Sequence, residues 1–259
     1  MFGDISQVTI FFLLLAAFSA GLVDAIAGGG GLIQLPALLI GLSQASTVEV
    51  LGTNKAASAF GTSASALMYR RRVKIDAKFL ASMAIPAFFG SVIGALSASK
   101  IPAQSMRPIV FILLVAVAIY TWRKPDLGSI ETLRHETKKR LSISVIAGSV
   151  IGFYDGIFGP GTGSFLMLTL IYLGYAFLSA SAIAKVVNVS TNLGAILVFG
   201  FNGAIIWQVA LVLAAANIAG GLTGARLAIR GGSTLIRKVF LLVTFALIIK
   251  VGIDTLTNW

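Results

Sequence analysis

Residues 21–31 read GLVDAIAGGGG, and residues 152–162 read GFYDGIFGPGT. Each stretch places one aspartate inside an apolar run and follows it with a cluster of glycines. The matched residues lie 131 positions apart: Asp24 and Asp155, Gly28 and Gly159, Gly30 and Gly161. Two copies of so uncommon a pattern in one chain predict an internal duplication.

The correspondence continues outward from these stretches at an offset of 130. The matched pairs are Lys55 and Lys185, Ser58 and Asn188, Thr62 and Asn192, Gly90 and Gly220, Gly94 and Gly224, and Arg107 and Arg237. A constant offset over this length favours two homologous halves. We therefore predict a first transmembrane repeat at residues 1–122, a basic cytoplasmic linker at 123–140 and a second transmembrane repeat at 141–259, which function as one membrane domain.

The composition indicates a chain that works inside the lipid bilayer. The hydrophobic fraction is 57% and the charged fraction only 11%, whereas about a quarter of the residues of a soluble domain are charged. Uncharged apolar runs recur that are long enough to cross a hydrocarbon core of about 30 Å. Since only helices and closed barrels satisfy the backbone in lipid, we predict an all-α polytopic membrane protein.

Each half divides into five apolar segments. They are predicted at 5–27, 31–42, 53–69, 77–98 and 106–122 in the first half, and at 141–158, 163–178, 184–201, 205–228 and 235–256 in the second. The second segment of each half is short, and 31–42 spans only about 18 Å as a helix. The sequence leaves open whether these short segments cross the bilayer or re-enter it.

The positions of the charges favour halves that are inverted relative to each other. The net charge is +11, and the basic residues cluster in short loops, as the positive-inside rule describes, so we expect no nucleic-acid partner. Five effective crossings in each half place the basic loops at 70–78, 123–140 and 226–238 on one side. Four crossings in each half make the halves parallel and move the loop at 226–238 to the other side, which obeys the rule less well.

Several kinds of chemistry are excluded or disfavoured by what the sequence lacks. The chain has no cysteine, and its one histidine, His135, lies in a charged segment, so we expect neither a disulfide nor a metal site. The glycine clusters are not followed by the Gly-Lys-Ser/Thr of a nucleotide-binding loop. We therefore expect no cofactor and no coupling to ATP within this chain.

The glycine clusters are candidate binding elements. Gly28, Gly29, Gly30 and Gly31 are consecutive, and Gly159, Gly161, Thr162 and Gly163 surround Pro160. Glycine and proline break a helix, and breaks at matching positions of two halves are typical of a transporter's binding site. Helices that begin near Leu32 and Ser164 would direct their N-termini at an anion. The alternative is a tight helix hairpin with close packing.

Asp24 and Asp155 lie inside apolar segments, where a charge costs roughly 2.5–3.5 kcal/mol. Such a residue usually has a function in a membrane protein. One interpretation is structural: each aspartate caps the following helix or pairs with a lysine and so holds the broken loop. The other interpretation is a group that carries a proton during transport, and the two roles are compatible.

A polar face follows in each half. Lys55 opens a predicted helix beside Asn54, and Lys185, Asn188 and Asn192 have the spacing of a single helix face. The functional interpretation is a positive face that lines a binding cavity. The alternative is that each lysine reaches from a helix end to the membrane interface.

These motifs resemble those of the sulfite exporter TauE/SafE family of membrane permeases. The resemblance is carried by Asp24-x-x-x-Gly-Gly-Gly-Gly with Leu35-Pro36 and Gly52-Thr-Asn-Lys55, by residues 152–163, and by the run from Lys185 to Asn192. It covers nearly the whole chain. It implies a transporter of small anions, with sulfite, sulfonates and related sulfur compounds as candidates, in the bacterial cytoplasmic membrane.

We therefore expect a secondary transporter for a small anion, with a central site between two halves. It is either coupled to an ion gradient, most simply of protons, or a uniporter. Its partners are the anion and the lipid bilayer, and the oligomeric state is left open. Two alternatives remain. One is an intramembrane enzyme in which Asp24 and Asp155 share a proton as an aspartyl dyad, and the other is an anion channel.

Overall fold

A computed structural model describes residues 6–98 and 130–257, and within these ranges all regular structure is helical. The first half contains α1 (Gln7–Ala27), α2 (Gly31–Gly41), α3 (Thr47–Arg70) and α4 (Ala77–Ser97). The second half contains α5 (Thr137–Ile157), α6 (Thr162–Tyr172), α7 (Phe177–Phe201) and α8 (Trp207–Thr257). The predicted all-α polytopic class is confirmed, and the predicted segment 106–122 lies outside the described residues.

Five of the described helices are long and apolar enough to cross a membrane. They are α1, α4, α5, α7 and the part of α8 from Trp207 to Ala246. Helix α3 has 24 residues but carries threonine, serine, asparagine and lysine along its length. It is nevertheless largely buried, so its polar residues face protein and not lipid.

Glycines set several of the helix ends. Gly28 ends α1 with a φ of 80°, and Gly161 precedes α6 with a φ of 86°, both in the left-handed region that glycine tolerates. Gly232, with a φ of 61°, divides α8 into two stretches. This kink falls between the predicted segments 205–228 and 235–256.

Three predicted boundaries were wrong. Helix α3 begins at Thr47 and α7 at Phe177, several residues before the predicted starts at 53 and 184. In α3 the polar residues near the start cap the helix and do not delay it, since Ser46 and Glu49 form a capping box. In the second half, the predicted segment 163–178 instead ends at Tyr172, and a turn through Gly174 with a φ of 97° leads directly into α7.

Two pairs of glycines spaced four residues apart allow close helix packing. A Cβ atom on Gly90 or Gly94 of α4 would overlap backbone of α5, and one on Gly220 or Gly224 of α8 would overlap backbone of α1. Such small-xxx-small patterns are typical of closely packed membrane helices. Because α1 packs on α8 and α4 packs on α5, each half is packed mainly against the other.

The helices run between two hydrophobic clusters. The basic-end cluster, near the loop at 70–78, includes Tyr69, Phe79 and Leu170, and the far-end cluster includes Leu38 and Phe199. Helix α1 runs from the far end to the basic end, and α2 returns to the far end. Helix α5 begins at the basic end, and α6 runs back to that end. With 11 residues each, α2 and α6 are roughly 16 Å long, about half the hydrocarbon thickness.

Candidate functional site

A small cavity lies where the two glycine breaks meet, between α1, α3, α5, α7 and α8. All of the predicted site residues except Gly29 and Lys185 line it. Ala20, Ser58, Thr62 and Asn217 line it as well. The volume that the centres of water molecules can occupy in this cavity is about 30 Å³. This is room for about two waters. Sequence motifs from both halves therefore converge on one polar cavity.

The two breaks touch at backbone level. A Cβ atom on Gly28 would overlap the backbone of Gly163, and the reverse substitution would overlap the backbone of Gly28. A Cβ atom added to Gly31 would lie 3.4 Å from the Cα atom of Pro160. The helices that follow, α2 and α6, start at this contact, so their N-terminal N–H groups lie beside the cavity. Gly29 instead faces Val243 of α8.

The first buried ion pair joins Lys55 of α3 to Asp155 of α5. The distance from Lys55 Nζ to Asp155 Oδ2 is 2.7 Å, and the two side chains are 4% and 2% exposed. The Thr162 hydroxyl donates a hydrogen bond of 2.6 Å to the other oxygen, Asp155 Oδ1. Asp155 therefore ties the second break to a lysine of the first half.

The second buried ion pair joins Lys185 of α7 to Asp24 of α1. The distance from Lys185 Nζ to Asp24 Oδ2 is 2.9 Å, with side-chain exposures of 0% and 16%. The Thr62 hydroxyl donates to the same oxygen at 3.2 Å. Among the described residues, no hydrogen bond or ion pair involves Asp24 Oδ1. Asp24 is thus held more loosely than Asp155 and faces the cavity.

The positions of Lys55 and Lys185 differ from the prediction that they open their helices. Each lies eight residues after the first residue of its helix, α3 at Thr47 or α7 at Phe177, because both helices begin earlier than predicted. Both side chains are buried and paired with a carboxylate, so in this structure neither reaches the membrane interface.

The predicted asparagines lie on the cavity wall. Asn188 is 8% exposed and Asn192 is 3% exposed, and the Thr191 hydroxyl donates to Asn188 Oδ1 at 3.2 Å. Asn54 Oδ1 is buried and has no hydrogen-bond partner among the described residues. An unpaired buried acceptor is costly, so Asn54 is suited to accept from a protonated group or water in the cavity.

The sequence reasoning missed one polar pair beside the cavity. Asn217 of α8 donates to Gln34 Oε1 of α2 at 2.5 Å and to Ala17 O of α1 at 3.2 Å. Gln34 Nε2 is buried without a partner among the described residues. The sequence does carry a signal for this contact, because Gln34 and Asn217 are polar residues inside apolar helices. The repeat comparison did not draw attention to them, because the matching positions hold Ala87 and Phe165.

Comparison with known proteins agrees with this architecture. A family model described as sulfite exporter TauE/SafE matches residues 13–251. A probable membrane transporter protein, ORF9, of a Sinorhizobium species is 38% identical, covering 97% of this chain and 95% of its own. A probable membrane transporter protein of Haemophilus influenzae is 34% identical, with 97% of each chain covered.

A third relative is the probable membrane transporter protein YfcA of Escherichia coli K12, which is 36% identical over 97% of this chain and 92% of its own. No solved structure matches the chain. The relatives are bacterial, and their names describe transporters and not enzymes. This chain is a multi-pass bacterial membrane transporter that belongs to the sulfite exporter TauE/SafE family.

Proposed function

We propose that this transporter carries a small anion, such as sulfite or an organosulfonate, by alternating access at the cavity between its two halves. The observation that carries the proposal is the pair of buried ion pairs, Lys55 with Asp155 and Lys185 with Asp24. Each joins one half to the other beside a helix break. An anion that binds a lysine must displace a carboxylate, and so it loosens a contact between the halves.

The surroundings of the lysines suit an anion. Helices α2 and α6 begin at the cavity, and the positive end of a helix dipole stabilises a negative charge. Asn188 and Asn192 supply amide donors on the wall. Lys185 and Lys55 then provide the charge, as they are the lysines beside the cavity among the described residues. Oxyanions such as sulfite and sulfonate have the several acceptor oxygens that this set of donors can satisfy.

We further propose that the two halves are inverted repeats. The basis is the direction of equivalent helices between the two hydrophobic clusters. Helix α3 runs from the far end to the basic end, whereas its counterpart α7 runs from the basic end to the far end. Reporter fusions should place the loops at 70–78 and 134–140 in the cytoplasm and both chain ends outside. A cytoplasmic C-terminus with a cytoplasmic 134–140 loop would contradict the inversion.

Charge balance at the cavity favours coupling to protons. Two lysines and two aspartates sum to zero when all four are ionised. A bound anion leaves the site with uncompensated negative charge, and an uncompensated buried charge costs several kcal/mol. One proton taken up with each negative charge restores neutrality. We therefore propose proton–anion cotransport in which the direction of net flux follows the two gradients.

Asp24 is the better candidate for the proton carrier. Asp24 lines the cavity, its Oδ1 has no partner among the described residues, and its side chain is 16% exposed. Asp155 is 2% exposed, and both of its oxygens are engaged, by Lys55 and by Thr162. Of the two roles that the sequence left open, we assign proton transfer to Asp24 and loop holding to Asp155.

Replacing each aspartate with asparagine should separate these roles. Asp24→Asn should still exchange anion across liposomes but should lose the dependence of uptake on a pH gradient, because residue 24 no longer titrates. Asp155→Asn should keep that dependence and lose more folded yield than Asp24→Asn. Breaking a fully buried pair costs about 3–5 kcal/mol, and Asp155 is 2% exposed whereas Asp24 is 16% exposed. Uptake after a pH jump and melting temperature in detergent measure the two effects. A reversed outcome would exchange the assigned roles.

The test of the transport function is uptake into liposomes against a panel of sulfite, sulfate, sulfonates and carboxylates. A transporter should show saturable uptake and counterflow, in which internal unlabelled anion drives entry of labelled anion. Unsaturable flux without counterflow would indicate the channel alternative. The enzyme alternative needs two carboxylates that share a proton. Here each carboxylate is instead paired with a lysine of the other half, which favours transport.

A further inference from the structure

A second, much larger space lies on the surface, away from the central cavity. It is a groove of about 900 Å³, bounded by the C-terminal part of α3, the loop that follows, the start of α4 and the middle of α7. One end is formed by Arg70, Arg71, Arg72 and Lys74. The rest of the described lining is apolar except for Ser63. The groove is therefore amphiphilic, with the positive charge at one end.

The four basic side chains are available to bind a ligand. All four residues are exposed. The ion pairs observed in the described part of the chain are those of the central site, so no carboxylate there neutralises the basic end. Asp76, the nearest acidic residue in sequence, accepts from the backbone N–H of Lys78 and caps α4. The basic end thus has a strong unbalanced attraction for a negative group.

The apolar part of the groove extends into the membrane-spanning region. Leu67 on α3 is 62% exposed, and Val186 and Val189 form the wall on α7. Val186 directly follows Lys185 in the chain, and Ser63 directly follows Thr62. The inner wall of the groove is therefore built on the same two helix stretches that hold Asp24.

We propose that this groove binds an anionic phospholipid, with the headgroup phosphate at the four basic residues and an acyl chain along the apolar wall. The groove is not suited to conduct small anions. A path for ions would be lined by polar groups along its length, because an ion beside hydrocarbon loses its hydration without compensation. A lipid satisfies both ends of the groove. Anionic lipids are enriched in the cytoplasmic leaflet, which is the side on which the positive-inside rule places this loop.

A bound lipid would also affect the transport site. By packing on α3 and α7 it would hold together the helices that carry Thr62 and Lys185, the two residues that contact Asp24. Anionic lipid is then expected to raise the melting temperature of the protein. This consequence rests on the groove and the ion pair, not on the identity of the transported anion.

Native mass spectrometry of the delipidated full chain tests the binding. The protein should retain one phosphatidylglycerol in preference to phosphatidylcholine. The double variant Arg71→Gln/Arg72→Gln should bind phosphatidylglycerol more weakly by about fivefold for each charge removed, which corresponds to about 1 kcal/mol per basic residue. The matched control is Lys138→Gln/Lys139→Gln, which removes the same charge from exposed residues at the start of α5, outside the groove. The control should bind as the unmodified protein does.

Three outcomes would overturn the proposal. Equal weakening in the arginine variant and the control would show a general charge effect. Equal retention of phosphatidylcholine would remove the role of the basic end. Displacement of the lipid by soluble glycerol phosphate would show that the site takes the phosphate group alone.

A second variant tests the apolar wall if the arginine variant does not fold. Leu67→Glu should weaken phosphatidylglycerol binding, and unchanged binding would again refute the lipid site. Binding is read by mass, so loss of transport activity does not affect the result.

Discussion

Replacing Lys185 with methionine should lower anion uptake into liposomes about a hundredfold, the expected effect of losing a charge-assisted contact of about 2–3 kcal/mol. Methionine keeps much of the volume of the lysine stem but cannot hold a negative charge. The side chain of Lys185 is 0% exposed, so water cannot take its place. Lys138→Met, which removes a charge from an exposed residue of α5, should transport normally.

The same variant should also destabilise the protein, and a second substitution separates the two effects. Lys185→Met leaves Asp24 without its cation, and removing one partner of a buried pair costs up to about 3–5 kcal/mol. Asp24→Asn/Lys185→Met removes both charges and should recover the melting temperature without recovering transport. Recovery of transport together with stability would show that the ion pair is only structural. Normal transport in Lys185→Met would reject the site itself.

The contents of this site could be predicted from the sequence because each element occurs once in each half. The repeat identified the two breaks, the two aspartates and the two lysines, and the structure brings them to one cavity. The partners in each ion pair were not predicted. An offset between repeats shows which residues are equivalent, whereas Lys55 contacts Asp155 of the other half. That contact depends on how α1 and α4 pack against the second half.

Two features were hidden from the sequence for separate physical reasons. Asn217 and Gln34 form a polar contact beside the cavity, but they have no polar counterparts in the opposite half, so a search for matched positions passes over them. The apolar segment predicted at 53–69 starts too late and leaves Glu49 outside the helix. In the structure Glu49 completes the capping box with Ser46. Because the helix begins earlier, Lys55 lies in the helix interior and not at its end. At this position its side chain is buried.

The contact between the two breaks should tolerate added side-chain atoms poorly, and three alanine substitutions separate the reasons. Gly203→Ala adds only backbone strain, because Gly203 has a φ of 65° and nothing within 4 Å of a Cβ atom. Gly163→Ala adds only overlap with Gly28, because Gly163 lies inside α6. Gly28→Ala adds both, since its φ is 80° and its Cβ atom would overlap Gly163. Strain costs about 1–2 kcal/mol, and overpacking about 1–3 kcal/mol.

We therefore expect Gly203→Ala to lower the melting temperature modestly and to transport normally. Gly163→Ala and Gly28→Ala should both lose transport, and Gly28→Ala should also have the lowest folded yield of the three. The reason is that the two breaks position the N-termini of α2 and α6 at the cavity, so separating them displaces the donors that face the anion. Melting temperature and liposome uptake of the three variants give the comparison. Normal uptake by Gly163→Ala would show that the breaks can move apart without loss of function, and that the anion site does not depend on their contact.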